Sequence, residues 1–338
     1  MGGGRKVKSV MLATIIVPIF NIENYIKQCI DSLLPLLEHN CEIIMVAGNS
    51  SDDTNNIAFQ YAEQYAGIQL IYQNGKGLSN ARNCGLRVAK AEFTVFVDGD
   101  DFVDAAVLVR VLDSIISNID VLMTNFYRNY ENNGSEILIS EINSNASNGL
   151  ENLQYIINSH KCFWNVWRNI YRTDFLQKHD IYFLENTYAE DIDYFSRVCI
   201  EKPTIQYSQE AFYHYRMDRE GSLMNDVPLV RLEQTIHVIE ESVQRLRNCK
   251  EPWTETVISG FQFEYLLNMV FVCNYSKQQR KQAIKSFTTF HQVLCPACDC
   301  LVRWLTRIVS ILGIRGVSRV LSMIRRLKRK RRRKSRRK

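Results

Sequence analysis

The chain lacks a long apolar run, because none of its 338 residues lies in an uncharged apolar stretch of 18 or more. A helix that crosses a bilayer needs about 20 such residues, so no membrane-spanning helix is predicted. Arg5–Lys8 and the apolar residues 10–17 imitate a signal peptide, but no small-residue cleavage site follows before Pro18. We therefore interpret Thr14–Val17 as a strand.

The ten cysteines lack the regular spacing of a disulfide framework. Many lie in apolar surroundings, as Cys29 and Cys199 do, which indicates buried thiols in a reducing compartment. A zinc site made of His291, Cys295, Cys298 and Cys300 is an alternative for the last cysteines, although their spacing fits no established zinc pattern.

Acidic residues are absent from Leu301 to the end, where 16 Lys and Arg residues occur. Residues 1–300 consequently carry 26 basic against 36 acidic side chains, a net charge of −10. This balance does not indicate a broad basic face, so we predict no nucleic-acid partner.

The first hundred residues alternate between apolar strands and amphipathic helices. The predicted strands are Thr14–Val17, Glu42–Val46, Ile68–Tyr72 and Phe93–Val97. Between them we predict three helices, which begin at Asn21, after Asp53 and at Ser79. Strands separated by helices favour a parallel sheet, with ligands bound beyond the carboxyl ends of the strands.

Three carboxylates follow the fourth strand, in Asp98-Gly99-Asp100-Asp101. They would repel one another without a partner, and Mg²⁺ or Mn²⁺ prefers oxygen ligands and shares them with phosphates. The alternative is an acidic loop in which Asp101 or Asp104 caps the next helix.

Four motifs follow one another along the chain. They are Thr14–Asn21 with Glu23, Glu42–Val46 running into Ser50–Thr54, Gly77–Asn83, and Phe96–Asp101. Their order resembles that of family 2 glycosyltransferases. Over residues 12–225 the chain resembles bacterial members of that family that build capsule, O-antigen or exopolysaccharide. The resemblance implies an α/β fold of the GT-A type, with a Rossmann-like, mostly parallel sheet flanked by helices, and a nucleoside-diphosphate sugar as donor.

The resemblance also implies roles for single residues. Pro18, Phe20 and Glu23 would lie near the nucleoside, and Arg82 would approach the diphosphate. Asp98 and Asp100 would hold Mn²⁺ or Mg²⁺, with Asp101 as an alternative ligand.

One segment departs from the family pattern. Ala47-Gly48-Asn49 stands where relatives have an Asp pair that contacts the base. Asn49 or Asp52 could replace the pair, and a uridine diphosphate sugar remains the default donor.

A second carboxylate pair, Glu190-Asp191, opens a predicted helix. It resembles a Glu-Asp pair whose Asp is the catalytic base in relatives, and glycosyl transfer requires a base to deprotonate the acceptor hydroxyl. The alternative is that these acids complement the helix dipole.

Further along, His214 could complete the metal site, contact phosphate or be structural. Arg216 and Arg219 are candidate cations near the diphosphate.

The predicted domains are a glycosyltransferase domain, a helical region and a basic tail. The first spans 1–225, with a nucleotide-sugar half at about 12–104 and an acceptor half at 105–225. The second spans 226–300, with helices at Leu229–Cys249, Trp253–Cys273 and Lys277–His291, and the third is 301–338.

The tail has the pattern of an amphipathic cationic helix. Its apolar stripe consists of Leu301, Trp304, Leu305, Ile308, Ile311 and Leu312. Residues 325–338 then include 12 basic residues in 14. This pattern predicts binding to an anionic membrane surface; a nucleic-acid arm or a disordered tail would not need the stripe. We expect the stripe to face lipid, so that residues 1–300 fold without the tail.

Together these features predict a metal-dependent, inverting glycosyltransferase, cytoplasmic and peripheral on the inner face of the cell membrane. Its acceptor would be a lipid-linked glycan or a growing polysaccharide. The alternative is a degenerate GT-A module that binds a nucleotide sugar or a partner enzyme without transfer.

Overall fold

A computed structural model of the chain describes residues 11–130, 134–139, 149–158, 164–217, 227–249, 251, 253–296 and 299–335. Its contacts divide the chain into two compact units. The first unit comprises residues 1–152, 164–186 and 201–220, and the second comprises 153–163, 187–200 and 221–338.

The first unit contains a sheet of nine strands. They are β1 Ala13–Ile19, β2 Cys41–Ala47, β3 Ile68–Tyr72, β4 Phe93–Phe96, β5 Phe102–Val103, β6 Val121–Tyr130, β7 Ser135–Ile139, β8 Asn169–Arg172 and β9 Ile205–Met217. Their order is β3-β2-β1-β4-β8-β6-β9-β5, and β7 pairs with β6.

One half of this sheet is parallel, as the strand and helix alternation predicts. β1 pairs in parallel with β2 and β4, and β2 pairs in parallel with β3. All seven residues of β1 are buried, because helices cover both faces of a parallel sheet. Because β1, β2, β3 and β4 run parallel, their carboxyl ends lie at one edge of the sheet.

The other half is mixed. β8 is antiparallel to β4 and β6, whereas β9 runs parallel to β6 and antiparallel to the short β5. Trp167 precedes β8 and stacks on Tyr213 of β9, with ring centroids 4.2 Å apart, so it belongs to the core.

Twelve helices complete the described chain. They are α1 Ile26–Leu33, α2 Thr54–Gln64, α3 Gly77–Val88, α4 Ala105–Asp113, α5 Gly149–Asn158, α6 Thr173–Lys178, α7 Glu190–Ile200, α8 Leu229–Arg247, α9 Thr254–Asn268, α10 Lys277–Lys285, α11 Phe290–Leu294 and α12 Cys300–Ser335. Asp104 caps α4 by accepting a hydrogen bond from the backbone nitrogen of Val107, as the capping alternative predicts.

The predicted start of the first helix at Asn21 is wrong. α1 begins at Ile26 with Tyr25 as its N-cap. Asn21 has a left-handed backbone (φ 50°), and its side chain accepts hydrogen bonds from the following β2–α2 loop instead. The side-chain oxygen of Asn21 therefore joins two loops and does not cap α1.

In the second unit, the helices predicted at 253–273 and 277–291 are each interrupted. α9 passes into a 3-10 helix at Met269–Asn274, and a turn separates α10 from α11. Thr254–Asn274 is long and apolar enough to cross a membrane, with a mean hydropathy of 1.3. However, 61% of that window is buried within the protein, as in the core helix of a globular unit.

The tail element α12 is kinked at Gly313, whose backbone is not helical (φ 65°, ψ 169°). It has two apolar sides, not one. Val302, Val309 and Val317 are almost fully buried, and α12 packs on Met269–Asn274 and on α9. This packing argues against the expectation that residues 1–300 fold unchanged without the tail, because its removal would uncover this core. The predicted stripe lies on the opposite side of the helix, where Trp304 and Ile311 are 59% and 79% exposed.

Candidate active site

The acidic turn Asp98–Asp101 follows β4 at the edge where the parallel strands end. Ligand oxygens of Asp98, Asp100 and Asp101 lie within 4.8 Å of one another. In the described part of the chain, this is the one group of three or more His, Cys, Asp or Glu side chains close enough to share a metal ion. Three carboxylates fit a hard divalent cation such as Mg²⁺ or Mn²⁺.

Gly99 lets this turn approach β1 closely. A Cβ atom at Gly99 would lie 2.8 Å from the carbonyl oxygen of Pro18 and 2.6 Å from the side chain of Ile22. Any larger residue would therefore displace the turn. Pro18 thus contacts the acidic turn through its backbone.

Strand β9 holds the turn from the other side. The hydroxyl of Tyr213 donates to Asp101 at 2.7 Å and accepts from the backbone nitrogen of Asp98 at 3.1 Å. The backbone nitrogen of Arg216 donates to the other Asp101 oxygen at 2.7 Å. Asp101 is thus almost fully buried with both oxygens engaged, while Asp98 and Asp100 are less buried and better placed as ligands.

The clustered charges affect the neighbouring ionisable groups. Burial, followed by the charges of Asp100 and Asp98, raises the pKa of Asp101 well above its usual value. Burial and the same carboxylates raise the pKa of Tyr215 on β9 to about 12. The neighbouring carboxylates therefore disfavour one another's charged forms, and a bound cation would relieve this repulsion.

Arg82, on α3, is the main cation facing the turn. Its guanidinium is 1% exposed and lies 2.7 Å from Oδ1 of Asp98. This ion pair orients the Asp98 carboxylate. The contact of Arg82 with a diphosphate stays a prediction.

Arg216, predicted as a cation near the diphosphate, lies against the acidic turn. Its Nε donates to the carbonyl oxygen of Asp100, and its terminal nitrogen donates to Gln28 on α1, each at 2.6 Å. Its guanidinium also packs on Tyr25 and Phe102. In this structure Arg216 joins the acidic turn to α1, whereas Arg219 lies outside the described residues.

The loops after β1 and β2 are joined by reciprocal hydrogen bonds. Asp52 accepts from the backbone nitrogen of Glu23, and Glu23 accepts from that of Asp53, both at 3.0 Å. Asn21 accepts from the backbone nitrogen of Ser51 at 2.8 Å. Glu23 is therefore used to hold the two loops together, and Asp52 is used in the same way.

Phe20 is the exposed aromatic residue at this edge. Its ring is 59% exposed and lies beside Gly48, where a Cβ atom would come within 2.9 Å of it. The side chain of Asn55 donates to the carbonyl oxygen of Gly48 at 3.0 Å and supports that turn. An exposed aromatic ring of this kind can stack on a planar group such as a nucleobase.

His214 does not join the acidic group. Its ring stacks between Phe102 and Tyr127, and its Nδ1 lies 2.6 Å from Glu136 and 3.3 Å from Asn129. These contacts fit the structural interpretation of this histidine.

Glu190 and Asp191 open α7 in the second unit, where both are half-buried. Asp193, two residues later, is buried and pairs with Arg197 at 2.7 Å and Arg245 at 3.0 Å. Asp193 is therefore a structural carboxylate of this helix.

The proposed zinc set is not assembled among the described residues. His291, Cys295 and Cys300 form no metal-ligating group there, and Cys298 lies outside the described residues.

Sequence reasoning missed the role of Tyr213 and the contacts of Glu185 with Asn80 and Asn83. Tyr213 is one of several aromatic residues in β9, and only the pairing of β9 with β5 brings it beside Asp101. No local pattern encodes that pairing.

The chain is similar to known proteins in sequence. The model for glycosyl transferase family 2 matches residues 14–181. The uncharacterized glycosyltransferase EpsJ of Bacillus subtilis is 32% identical over 209 residues, which cover 61% of this chain and 61% of EpsJ. The match thus spans about three fifths of the length of that relative.

Solved structures share the fold. That of Staphylococcus aureus TarS 1–349 in complex with UDP-GlcNAc has a TM-score of 0.71 at 22% identity, covering 94% of this chain and 92% of that one. A mannosyltransferase from Pyrobaculum calidifontis in complex with GDP-Man and Mn²⁺ has a TM-score of 0.55 at 14% identity, covering 92% and 83%. The fold is GT-A, and with its four motifs in place the chain belongs to glycosyl transferase family 2.

Proposed function

We propose that this protein is a metal-dependent, inverting glycosyltransferase. It moves a sugar from a uridine diphosphate sugar to a hydroxyl group of a lipid-linked or growing surface polysaccharide. The observation that carries the proposal is the acidic turn, in which Asp98 and Asp100 lie together beside the buried guanidinium of Arg82.

Asp98 and Asp100 would hold Mg²⁺ or Mn²⁺, which neutralises the negative charge of a departing diphosphate when bound. Arg82 fixes the orientation of Asp98. The hydrogen bonds that Tyr213 and Arg216 make to backbone atoms of Asp98 and Asp100 fix the backbone of the turn. Preorganised groups of this kind do not have to reorient during the reaction, which is how they lower its barrier.

Asp191 is the proposed base. It would accept the proton of the acceptor hydroxyl as that oxygen attacks the anomeric carbon, while the bond from that carbon to the diphosphate breaks. A single displacement of this type inverts the anomeric configuration. Asp191 is supported by its half-buried position and by the engagement of its neighbour Asp193 in ion pairs.

For the donor, two observations support a nucleotide held by stacking on Phe20. The ring is exposed, and Ala47-Gly48 presents no carboxylate to the base. TarS is solved with UDP-GlcNAc, and the more distant mannosyltransferase with GDP-Man. We take uridine diphosphate as the nucleotide because the more similar of these two structures contains it.

The test is the melting temperature of the full chain with UDP-GlcNAc, UDP-glucose or GDP-mannose, with and without Mn²⁺. Binding to the folded state raises the melting temperature, so one uridine nucleotide should do so more strongly with Mn²⁺. Sugar transfer to a lipid-linked glycan should follow for the same donor. Binding without transfer to any acceptor would instead support the degenerate module, and no shift with any nucleotide would overturn the proposal.

We further propose that α12 binds the protein to an anionic membrane surface, on the inner face of the cell membrane. The exposed side of the helix carries Trp304, Ile311 and Leu312, while Arg303 and Arg307 are also exposed. An apolar face flanked by arginines complements a lipid surface of negative charge, and each basic residue near it contributes about 1 kcal/mol. The polybasic residues 325–338 extend the same charge.

A further inference from the structure

We propose that Glu185 recognises the transferred sugar, and that its carboxylate accepts hydrogen bonds from sugar hydroxyl groups. This inference rests on the proposed function and deepens it. It assigns a residue to the sugar itself, separate from those that hold the diphosphate and those that move the proton.

Two amides of α3 hold the carboxylate of Glu185. Asn80 Nδ2 donates to Oε2 and Asn83 Nδ2 donates to Oε1, both at 3.0 Å. The two asparagines lie one turn apart on the same helix face and bind one oxygen each. The orientation of the carboxylate is therefore fixed.

Both asparagines are themselves anchored. Asn83 exchanges hydrogen bonds with the backbone nitrogen and oxygen of Phe183, at 2.8 and 2.9 Å. Asn80 accepts from the backbone nitrogen of Gly75 and donates to Asn74. Both asparagines are at least 95% buried. Buried, hydrogen-bonded neighbours of this kind hold a binding group in a fixed orientation.

The same helix places Glu185 near the acidic turn. Arg82 precedes Asn83, binds Asp98 at 2.7 Å, and lies over the ring of Phe183, with its guanidinium carbon 5.2 Å from the centroid. Phe183 is two residues before Glu185. The segment that carries Glu185 therefore lies along the helix that orients the proposed metal ligand.

The charge of Glu185 indicates what it can bind. In the part of the chain that the structure describes, no ion pair joins it to a cationic side chain; its partners are neutral amides. A carboxylate offers about four acceptor positions, and the two amides occupy two of them. The side chain is half-buried, so it is partly accessible to a ligand.

A negative acceptor of this kind repels a diphosphate and binds neutral donors. Sugar hydroxyl groups are such donors, and a neighbouring pair of them can bind both oxygens of one carboxylate. Hydrogen bonds to a charged acceptor are also stronger than neutral ones. A site of this type selects a sugar by the positions of its hydroxyl groups.

The experiment compares the affinities of Glu185→Gln and the wild-type chain for UDP and for UDP-glucose or UDP-GlcNAc, all with Mn²⁺, by calorimetry. We expect the UDP affinity to stay within about twofold. The sugar nucleotide should bind about tenfold or more weakly, because a neutral amide cannot replace the charged acceptor of these hydrogen bonds. Glu92→Gln is the matched control, since Glu92 pairs at the surface with Arg172.

A second measurement uses the wild-type chain and so does not depend on the variant folding. UDP-glucose analogues that lack the hydroxyl at C3, C4 or C6 are titrated, and at least one should lose affinity. Glu185→Gln should lose no further affinity on the same analogue. Equal weakening for UDP and the sugar nucleotide, no weakening at all, or full affinity for every analogue would each overturn the role of Glu185. A wild-type chain that binds no nucleotide would instead overturn the proposed function, and this inference with it.

Discussion

Tyr213 and Asp101 are 112 residues apart in the chain, yet their side chains share a 2.7 Å hydrogen bond in the core. The same hydroxyl accepts from the backbone nitrogen of Asp98, so one phenol is bound to both ends of the acidic turn. The ring stacks on Trp167, which fixes its position. The geometry of the proposed metal site is therefore set by a strand that supplies no metal ligand.

Replacing Tyr213 by phenylalanine keeps the stack and removes both hydrogen bonds. The buried Asp101 then loses a donor, so we expect the free energy of unfolding to fall by about 1–3 kcal/mol. The Mn²⁺-dependent part of nucleotide affinity should fall as well, because the turn is less well ordered. Denaturant unfolding and titration of UDP with and without Mn²⁺ measure the two effects.

Tyr215→Phe is the matched control. Tyr215 also stacks on Trp167, with centroids 5.3 Å apart, but makes no hydrogen bond to the turn within the described structure. We expect little change in Mn²⁺-dependent affinity. Equal losses in both variants would show that the hydrogen bonds of the Tyr213 hydroxyl do not set the Mn²⁺-dependent affinity.

Removing the metal tests Asp100 directly. Asp100→Ala should abolish the tightening of UDP binding by Mn²⁺ and reduce transfer, because the carboxylate that neutralises the ion is lost. EDTA should have the same effect on the wild-type chain and little further effect on the variant. Full transfer in EDTA would contradict a metal-dependent reaction.

Replacing Asp191 should reduce transfer, whereas replacing Asp193 should reduce stability. Asp191→Asn cannot accept a proton, so transfer should fall by about 10² to 10⁴ while donor binding and stability stay near wild type. Asp193→Asn weakens the ion pairs of this buried carboxylate with the partly exposed Arg197 and Arg245 and should cost stability, by about 1.5–3 kcal/mol. Transfer rates and denaturant unfolding separate the two, and an active Asp191→Asn would exclude Asp191 as the base.

The two sides of α12 provide a test of membrane binding. Replacing Ile311 and Leu312 by aspartate should leave the melting temperature nearly unchanged, since both are exposed, and should abolish binding to vesicles containing phosphatidylglycerol. Val309→Asp is the contrasting variant: it buries a charge and should destabilise the second unit.

Salt and lipid charge complete this test. Binding of the wild-type chain should weaken as salt screens the arginines, but should persist in part through the apolar face. A blue shift of tryptophan fluorescence that Trp304→Phe removes would report contact with the bilayer. Equal affinity for neutral and anionic vesicles, or tight binding to duplex DNA without vesicle binding, would contradict the proposal.

Much of the fold could be predicted from the sequence because its signals are local. Apolar runs located β1 to β4, and the resemblance of the motifs to a known family predicted the GT-A class that the comparisons confirm. The start of α1 was misplaced because Asn21 is a good capping residue that binds the neighbouring loop instead. Local propensity cannot distinguish these two uses of one side chain.

The contacts of the site were harder to predict because they join distant segments. The sequence predicts Arg216 near a diphosphate, but it does not reveal that β9 places the guanidinium against Asp100 and Gln28. The buried side of α12 was missed for a similar reason. Val302 and Val309 are separated by seven residues and so also follow a helical period, but the stripe through Trp304 is the more apolar.

The packing of α12 has a geometric consequence. A helix whose Val302 and Val309 are buried against its own unit cannot roll about its axis, so the side with Trp304 points in one direction only. Asp191 belongs to the same compact unit. Under the proposals above, the second unit fixes the distance between the lipid surface and the proposed base Asp191. Acceptors would then be selected by the height of their reacting hydroxyl group above the membrane.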